Sequence, residues 1–550
     1  MSPAPSSRHD PLVWIGIAEG AELLRSRQLS PLEWAAALIE RIEGVGRPLD
    51  AFLYRAPEQV FAAARESGEQ LVKGLDRGPL HGVPYAVKDI ISTLDRPTTA
   101  HSRLLKGHQP ARDAEIIRRL RAAGAVMLGK TATHEFAHGG PSTDLPWPPA
   151  RNPWNLEHVP GGSSSGSAAA LAGGLAPAAL GTDTGGSIRI PAGLCGVTGL
   201  KPTYGRVSRQ GIFPLAPALD TAGPMARSAR DCALLLQAIA GFDPNDPGCA
   251  RQTVPDFSAG LNGDLRGMRI GVIRHFWETD TTVHPEAAAA MEEALDVLST
   301  RGAILRNIRL APLIDYGDVR ALVQEAEAFA IYHEALIHSI TEFGEDFLAR
   351  ILPACLVPGF VQIQAARKRR LLIEQMHSAF ETVDALITIG TGPAARFDAP
   401  NTHGALHSLW SDRPNIPAPF SVTGFPAMSV CNGFSSAGLP TSMQIVGRPW
   451  DEARVLKVGE AFQRDTNWHR RRPPDPAPMP PVQLAPSTSA ESLDHATRTW
   501  ADAAMACARL SLNPSHRELV YAAASRVRRA IERMGVVSDR SVESASVFRL

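Results

Sequence analysis

Two glycine- and serine-rich motifs lie between Pro160 and Pro202. The first reads Gly-Gly-Ser-Ser-Ser-Gly-Ser and the second reads Gly-Thr-Asp-Thr-Gly-Gly-Ser-Ile-Arg-Ile-Pro, with an Ala/Leu/Gly segment of helical length between them. Glycine lets the backbone approach a ligand closely. Consecutive backbone N–H groups in such a turn can bind an oxyanion or a phosphate. The stretch therefore offers hydroxyl nucleophiles and anion-stabilising donors together, and acyl transfer needs both.

A lysine lies upstream, at the centre of Val87-Lys88-Asp89 in an apolar, strand-like run. Burying a lysine inside a strand is energetically costly unless its charge is paired or it is neutral. The alternative is a lysine whose side chain extends to the surface. Together with the two serine motifs it resembles the amidase signature family of serine hydrolases, which use a Ser–cis-Ser–Lys triad. Lys88 matches the base, Ser163 the bridging serine and Ser187 the nucleophile, at spacings of 75 and 24 residues. The similarity runs from about residue 10 to about residue 475.

The resemblance implies an α/β fold, with an amidase-signature-like mixed β-sheet core sandwiched by helices and a small helical C-terminal extension. It also implies a cis peptide bond between Gly162 and Ser163. Asp183 and Arg189 are expected to brace the nucleophile loop, and Ser164 is expected to add a hydrogen bond. No metal or cofactor is expected. The oxyanion hole is expected from the backbone N–H groups of Thr184, Gly185, Gly186 and Ser187.

Local patterns divide the chain into a catalytic domain, 1–472, a proline-rich linker, 473–490, and a two-helix extension, 491–550. Apolar strands alternate with helices between residues 203 and 300, as in an α/β sandwich. Two helices cannot bury their apolar faces alone, so the extension must dock on the catalytic domain or on another subunit. It faintly resembles the small helical partner subunits of heterodimeric family members; a dimerisation extension is the alternative. Residues 390–425 are loop-rich and are expected to line the substrate pocket.

Three other motifs compete with this interpretation. His134-Glu135-Phe136-Ala137-His138 fits H-E-x-x-H, but Gly139-Gly140-Pro141 would break the helix that a zinc site needs, which favours a substrate-lining or structural loop. Ser164 fits the nucleophile of G-x-S-x-G, but no strand is predicted before it. The basic run Arg367-Lys368-Arg369-Arg370 is predicted to be a solvated helix face.

Composition excludes several classes of protein. Fifty-six Lys and Arg balance 56 Asp and Glu, so no basic excess argues for nucleic acid or an anionic membrane surface. The N-terminus has no apolar signal-peptide region, and no apolar run is long enough to predict a membrane span. The cysteines are scattered, which predicts reduced thiols in a cytoplasmic protein. They are Cys195, Cys232, Cys249, Cys355, Cys431 and Cys507.

Three functions remain open. The first is a homodimeric hydrolase of a small amide, ureido or carbamoyl compound, which releases ammonia or an amine. The second is the glutamine-hydrolysing subunit of an aminoacyl-tRNA amidotransferase-like complex, which would need partner subunits. The third is a non-catalytic scaffold, which Lys88 disfavours because a scaffold has no use for a buried lysine.

Overall fold

Eleven strands form one mixed sheet in the described part of the chain. The structure, a computed structural model, describes residues 10–399, 414–485, 493–537 and 542. The strands are β1 Phe52–Arg55, β2 Pro84–Lys88, β3 Val126–Thr131, β4 Ala178–Asp183, β5 Thr198–Lys201, β6 Thr221–Ala226, β7 Arg269–Val272, β8 Ile304–Asn307, β9 Ala385–Ile389, β10 Ala427–Phe434 and β11 Pro440–Val446.

The strand order across the sheet is β1-β3-β2-β4-β6-β5-β10-β11-β9-β7-β8. Strand β2 is parallel to both β3 and β4, whereas β4 is antiparallel to β6. Strands β2, β3 and β4 are buried along their whole length. Because parallel neighbours end at the same edge, Lys88 at the end of β2 comes beside Asp183 at the end of β4. The predicted α/β fold with a mixed sheet is confirmed.

Helices cover the two faces of this sheet. They are α1 Ile17–Arg25, α2 Pro31–Glu43, α3 Pro57–Val72, α4 Glu115–Ala122, α5 Ser165–Ala172, α6 Arg189–Cys195, α7 Ala229–Ile239, α8 His275–Glu278, α9 Pro285–Thr300, α10 Leu313–His338, α11 Glu345–Ile351, α12 Gly359–Ala379, α13 Ala418–Thr423, α14 Glu452–Asp465, α15 His495–Cys507 and α16 Pro514–Met534.

Local capping explains where several helices begin. The Ser30 side chain accepts from the backbone N–H of Glu33, and Glu33 bonds back to the Ser30 backbone, a complete capping box with Pro31 at the first position. Asn513 caps α16 in a similar way, accepting from the backbone of His516. These starts follow from residues three apart in sequence, so they are predictable without the tertiary fold.

The sequence pattern of residues 10–78 predicts helices throughout this N-terminal region, but the structure also contains a strand there. Phe52–Arg55 instead forms the edge strand β1, antiparallel to β3. All four residues are half buried, so the strand lacks the alternation of buried and exposed side chains that would mark it as a strand. Its conformation comes from pairing with a distant strand. The sequence also predicts a helix at 113–123, and the structure begins this helix at Glu115. Asp113 precedes it, and its carboxylate accepts from the backbone N–H of Leu94 at 2.8 Å.

The C-terminal helices α15 and α16 pack on the catalytic part of the same chain. Helix α16 contacts α10, α11 and α12. Arg533 forms a two-pronged ion pair with Asp318 on α10, at 2.8 and 2.9 Å. Val520 and Val527 on α16 are fully buried. The expected linker is described only to residue 485; residues 486–490 lie outside the described ranges.

The prediction that the basic run on α12 is a solvated face is wrong. Arg369 is buried, and its guanidinium donates to the carbonyl oxygens of Val422 at 2.7 Å and Ala218 at 2.8 Å. Lys368 pairs with Asp315 on α10 at 2.8 Å. A charge run in sequence does not reveal which of its side chains turn inward, because that depends on the elements packed against the helix.

Among the described residues, no single helix has the length and apolar character needed to cross a membrane. One pair, Glu345–Leu356 and Gly359–Ala379, meets those criteria jointly but is bent by 99° at its break.

Candidate active site

Lys88 lies at the base of the site with no solvent exposure. Its Nζ donates to Ser163 Oγ at 2.8 Å and to Thr182 Oγ1 at 2.7 Å. Burial lowers the pKa of Lys88 from 10.5 to about 7, against the opposing effect of the Asp183 and Asp220 carboxylates. The amine is therefore neutral in a large fraction of molecules near neutral pH. A neutral amine in contact with a hydroxyl can take its proton.

Ser163 follows a cis peptide bond, Gly162–Ser163, as the resemblance implied. Gly161 has φ +77°, and a Cβ at Gly162 would collide with the imidazole of His134. Both positions therefore need glycine, the first for its backbone conformation and the second for space. The Ser163 carbonyl accepts from the backbone of His134 at 3.1 Å, which holds the turn against the neighbouring loop.

Ser187 lies between β4 and α6 and is partly exposed at the wall of a cavity of about 230 Å³ that Ser163 also lines. Its carbonyl accepts from the backbone N–H of Ser164 at 3.2 Å, so the two serine motifs are joined directly. The cavity thus brings together the predicted nucleophile and the predicted bridging serine, with Lys88 bonded to the latter.

The nucleophile loop is held by Asp183. Its carboxylate accepts from the backbone N–H of Gly186 at 2.8 Å and of Ile188 at 3.2 Å. The Gly186 amide is therefore bonded to Asp183. The other amides of the expected oxyanion hole are those of Thr184, Gly185 and Ser187. Three of the four predicted oxyanion donors, the amides of Thr184, Gly185 and Ser187, therefore remain candidates to face an oxyanion.

Arg189 pairs with Asp183 at 3.0 Å, and both side chains are buried. Burial alone would raise the pKa of Asp183, but the Arg189 guanidinium outweighs it and holds the pKa below its usual value. Arg189 also donates to Ser421 Oγ at 2.7 Å and to Gln444 Oε1 at 2.8 Å. The pair therefore ties the loop after β4 to α13 and β11.

Ser164 does not have the surroundings of a nucleophile. It is fully buried, and its Oγ donates to the carbonyl of Thr182 at 3.3 Å and accepts from the Thr182 N–H at 3.3 Å. No strand directly precedes it, since the described chain between β3 and α5 holds none. The Ser164 hydroxyl thus bonds the first serine motif to β4.

The H-E-x-x-H segment forms a wall of the cavity instead of a helix. Glu135–Ala137 is a single 3-10 turn, with Phe136 at φ +47°. His134 bonds through Nδ1 to the carbonyl of Gly139 at 2.7 Å, whereas His138 bonds through Nε2 to Glu325 at 3.1 Å. The two imidazoles have separate partners, and the segment is part of the cavity lining.

Several residues in or next to the cavity were not singled out in the sequence analysis. Thr182, the second partner of Lys88, lies within the second serine motif but was not singled out. Arg320 and Gln324 come from α10, and Arg350 comes from α11. All three are more than 130 residues from Ser187 in sequence, so only tertiary packing places them at the site. From the loop-rich stretch 390–425, Asn415 lines the cavity; residues 400–413 lie outside the described ranges.

Comparisons of the sequence find similar known proteins. The family described as Amidase matches residues 33–456. A glutamyl-tRNA(Gln) amidotransferase subunit of Roseiflexus castenholzii is 41% identical over 487 residues, which cover 84% of this chain and 98% of that protein.

Solved structures show the same fold. Native peptide amidase from Stenotrophomonas maltophilia aligns with a TM-score of 0.73 and 32% identity, over 84% of this chain and 99% of that one. A glutamyl-tRNA(Gln) amidotransferase subunit from Thermotoga maritima aligns with a TM-score of 0.70 and 30% identity, over 85% and 99%. The chain therefore belongs to the amidase signature family, which its sequence motifs resemble.

Proposed function

We propose that this chain hydrolyses a carboxamide through an acyl-enzyme on Ser187. The observation that carries the proposal is the contact between Lys88 Nζ and Ser163 Oγ at 2.8 Å, since burial has already lowered the pKa of that lysine to about 7. A base with a pKa near the working pH is the most effective in proton transfer. Lys88 is therefore suited to draw a proton through Ser163 from the nucleophile.

In this mechanism Ser187 Oγ attacks the carbonyl carbon while its proton passes to Ser163 Oγ and the proton of Ser163 passes to Lys88 Nζ. The carbonyl oxygen becomes an oxyanion, stabilised by backbone N–H groups from among those of Thr184, Gly185 and Ser187. The proton returns through Ser163 to the leaving nitrogen, the C–N bond breaks, and ammonia or an amine departs. Water then attacks the ester by the same relay and releases the acid.

The curated relatives favour glutamine as the amide. Subunits of glutamyl-tRNA(Gln) amidotransferases match at 39–41% identity in three cases, and 97–98% of each of those proteins is covered. On this proposal the chain is the glutamine-hydrolysing subunit of a complex that passes ammonia to an aminoacyl-tRNA. It would then need partner subunits, and the tRNA would be bound by the complex.

A stand-alone amide hydrolase is the second candidate, and the C-terminal helices favour it. They cover α10, α11 and α12 within the same chain, at a surface that would otherwise be open to another protein. The apolar face of α16 is filled there by residues of the catalytic part. The similarity to a peptide amidase supports this candidate as well.

Ammonia release by the purified full chain separates these candidates. The panel holds glutamine, short aliphatic amides, an anilide and ureido compounds, with Ser187→Ala as the inactive variant. Ser378→Ala is the matched control, because that hydroxyl lies on the exposed face of α12. Release from glutamine alone, or only after partner subunits are added, supports the amidotransferase. Release from other amides supports the stand-alone hydrolase, and activity retained by Ser187→Ala refutes both.

A further inference from the structure

A carboxylate outside the two serine motifs holds the start of the nucleophile loop. Strand β4 is antiparallel to β6, with Asp183 opposite Thr221. The next residues outward, Thr184 after β4 and Asp220 before β6, therefore lie side by side. Thr184 Oγ1 donates to Asp220 Oδ1 at 2.6 Å, so Asp220 is bonded to the loop that carries Ser187.

The same carboxylate orders a second wall of the catalytic cavity, the cavity that Ser163 and Ser187 line. Asp220 Oδ2 accepts from the backbone N–H groups of Leu215 at 2.9 Å and Ala216 at 3.0 Å. Thr184 and Leu215 both line the catalytic cavity. Both oxygens of the carboxylate are thus engaged by donors, and Asp220 ties two walls of the cavity together.

The nucleophile loop is consequently held at both ends. Asp183 accepts from the backbone amides of Gly186 and Ile188, at the far end of the loop. Asp220 holds the side chain of Thr184 at the near end. Threonine is stiff at χ1, so fixing its hydroxyl also fixes the orientation of its backbone. The two anchors together set the direction of the remaining amides of the loop, which are the candidates to face an oxyanion.

Asp220 also acts on the proposed base. Lys88 donates to Thr182 Oγ1 at 2.7 Å, so it is one hydrogen bond from the end of β4. Asp220 reaches the same end of the strand through Thr184. Thr182, Thr184 and Asp220 line a second cavity of about 230 Å³. Burial, the largest effect, lowers the pKa of Lys88 to about 7, and the negative charge of Asp220 opposes that fall.

Two carboxylates act on Lys88, those of Asp183 and Asp220. Replacing Asp183 would also break its buried pair with Arg189. Asp220, in contrast, forms no ion pair with any residue in the described ranges, so its charge can be removed without leaving a cation unpaired. The His134 imidazole, on which Lys88 acts, is neutral in this pH range because burial lowers its pKa from 6.5 to about 3.

We propose that Asp220 is a positioning residue of the active site, which directs the amides of the nucleophile loop toward the oxyanion and keeps a negative charge near Lys88. The inference rests on the proposed function, because it assigns a role in the same acyl transfer. Asp220 acts through Thr184 and through its charge. Asparagine is a poor substitute, because both carboxylate oxygens accept from donors and an amide NH₂ at either position would face another donor.

The test follows the labelling of Ser187 by a fluorophosphonate probe, which needs no known substrate. Ser187 Oγ attacks phosphorus, a P–O bond forms, the P–F bond breaks and fluoride leaves, while the serine proton passes to Ser163 and the Ser163 proton to Lys88. The rate depends on the base and on the amides that bind the phosphoryl oxygen. We expect Asp220→Asn to label roughly 10- to 100-fold more slowly than the wild type, as for the loss of a hydrogen bond to a charged group.

The pH profile of labelling separates this role from a purely structural one. In the wild type the rate should rise with a midpoint at about pH 7, as Lys88 loses its proton. Asp220→Asn removes a charge that favours the protonated lysine, so its midpoint should move to lower pH. Thr184→Val removes the bonded hydroxyl but keeps the carboxylate, so its rate should fall while the midpoint stays. An unmoved midpoint in Asp220→Asn would overturn the inference.

A double variant tests whether Asp220 acts on the loop through Thr184. At about pH 9, where Lys88 is neutral in nearly all molecules, Asp220→Asn combined with Thr184→Val should label about as slowly as Asp220→Asn alone, because both changes remove the same hydrogen bond. Thr184→Ser keeps the hydroxyl and should lose less than Thr184→Val. Losses that multiply in the double variant would mean that the two residues act separately, which contradicts the inference.

Asp256→Asn is the matched control, because Asp256 accepts from the hydroxyl and the backbone N–H of Ser258 at an exposed site. It should label at the wild-type rate. If Asp220→Asn fails to fold, Thr184→Val carries the test, and wild-type labelling by that variant overturns the inference. If Ser187 of the wild type is not labelled, the proposed function fails. If it is labelled and Asp220→Asn matches it in rate and midpoint, the inference alone fails.

Discussion

Replacing Lys88 by methionine should stabilise the folded chain while it abolishes turnover. The lysine is fully buried, and its pKa falls from 10.5 to about 7 because burial penalises the charged form. At about 1.4 kcal/mol for each pKa unit, that difference corresponds to about 5 kcal/mol of unfavourable free energy below pH 7. Methionine has a similar length and no charge, so it removes this cost.

The lost hydrogen bonds reduce the gain. Lys88 donates to Ser163 and to Thr182, and each such bond contributes about 1 kcal/mol. The net stabilisation expected for Lys88→Met at pH 6 to 7 is therefore about 3 kcal/mol.

The pH dependence has a definite sign. Between pH 7 and 10.5 the unfolded chain binds one more proton at this lysine than the folded chain, so wild-type stability rises with pH in that window. The advantage of Lys88→Met should shrink by about 1.4 kcal/mol per pH unit from about pH 7 and be close to zero near pH 9. Urea unfolding of both proteins at about pH 6, 7, 8 and 9 measures this difference.

Lys130→Met is the matched control. This second buried lysine on β3 lies 3.0 Å from the Asp89 carboxylate, and both side chains are buried. Its removal leaves the buried Asp89 carboxylate without its cationic partner, so it should destabilise the chain by about 3–5 kcal/mol. If Lys88→Met is destabilising as well, or if its effect is the same at every pH, the pKa of Lys88 is not lowered by burial. The relay mechanism then lacks its base.

Three further predictions concern the base, the loop and the C-terminal helices. For the wild type, kcat/KM should rise with a midpoint near pH 7, since only neutral Lys88 accepts a proton; a flat profile down to about pH 5 would contradict this. Asp183→Asn should lower the free energy of unfolding in urea by about 3–5 kcal/mol, because Arg189 loses its buried carboxylate partner. An unchanged free energy of unfolding would show that the Asp183–Arg189 pair does not stabilise the loop. Ending the chain at residue 485 should lower the melting temperature, because the surface under Val520 becomes exposed; unchanged melting would refute this.

Local chemistry made much of this protein predictable. Ser30 and Glu33 cap α2 across three residues, and Asn513 caps α16 in a similar manner. The motifs around Ser163 and Ser187 are continuous stretches in which glycine is needed for its φ or for space, so both motifs can be recognised from the sequence alone. Their match to a known family also predicted the mixed sheet, because long motifs at fixed spacing occur with one fold.

Packing between distant elements decided the rest. Lys88 has a lowered pKa because β2, β4 and the first serine turn enclose it, and no local pattern reports that enclosure. The strand β1 exists through its pairing with β3, and Arg369 turns inward because α13 lies beside α12. Arg320 stands on a helix with no motif of its own and reaches the cavity because α10 crosses the nucleophile loop. Ser187 and Lys88, the residues proposed as nucleophile and base, could be singled out from the sequence because each lies in a contiguous motif. The surroundings that lower the pKa of Lys88 depend on which strands and turns meet around it, and only the tertiary structure decides that.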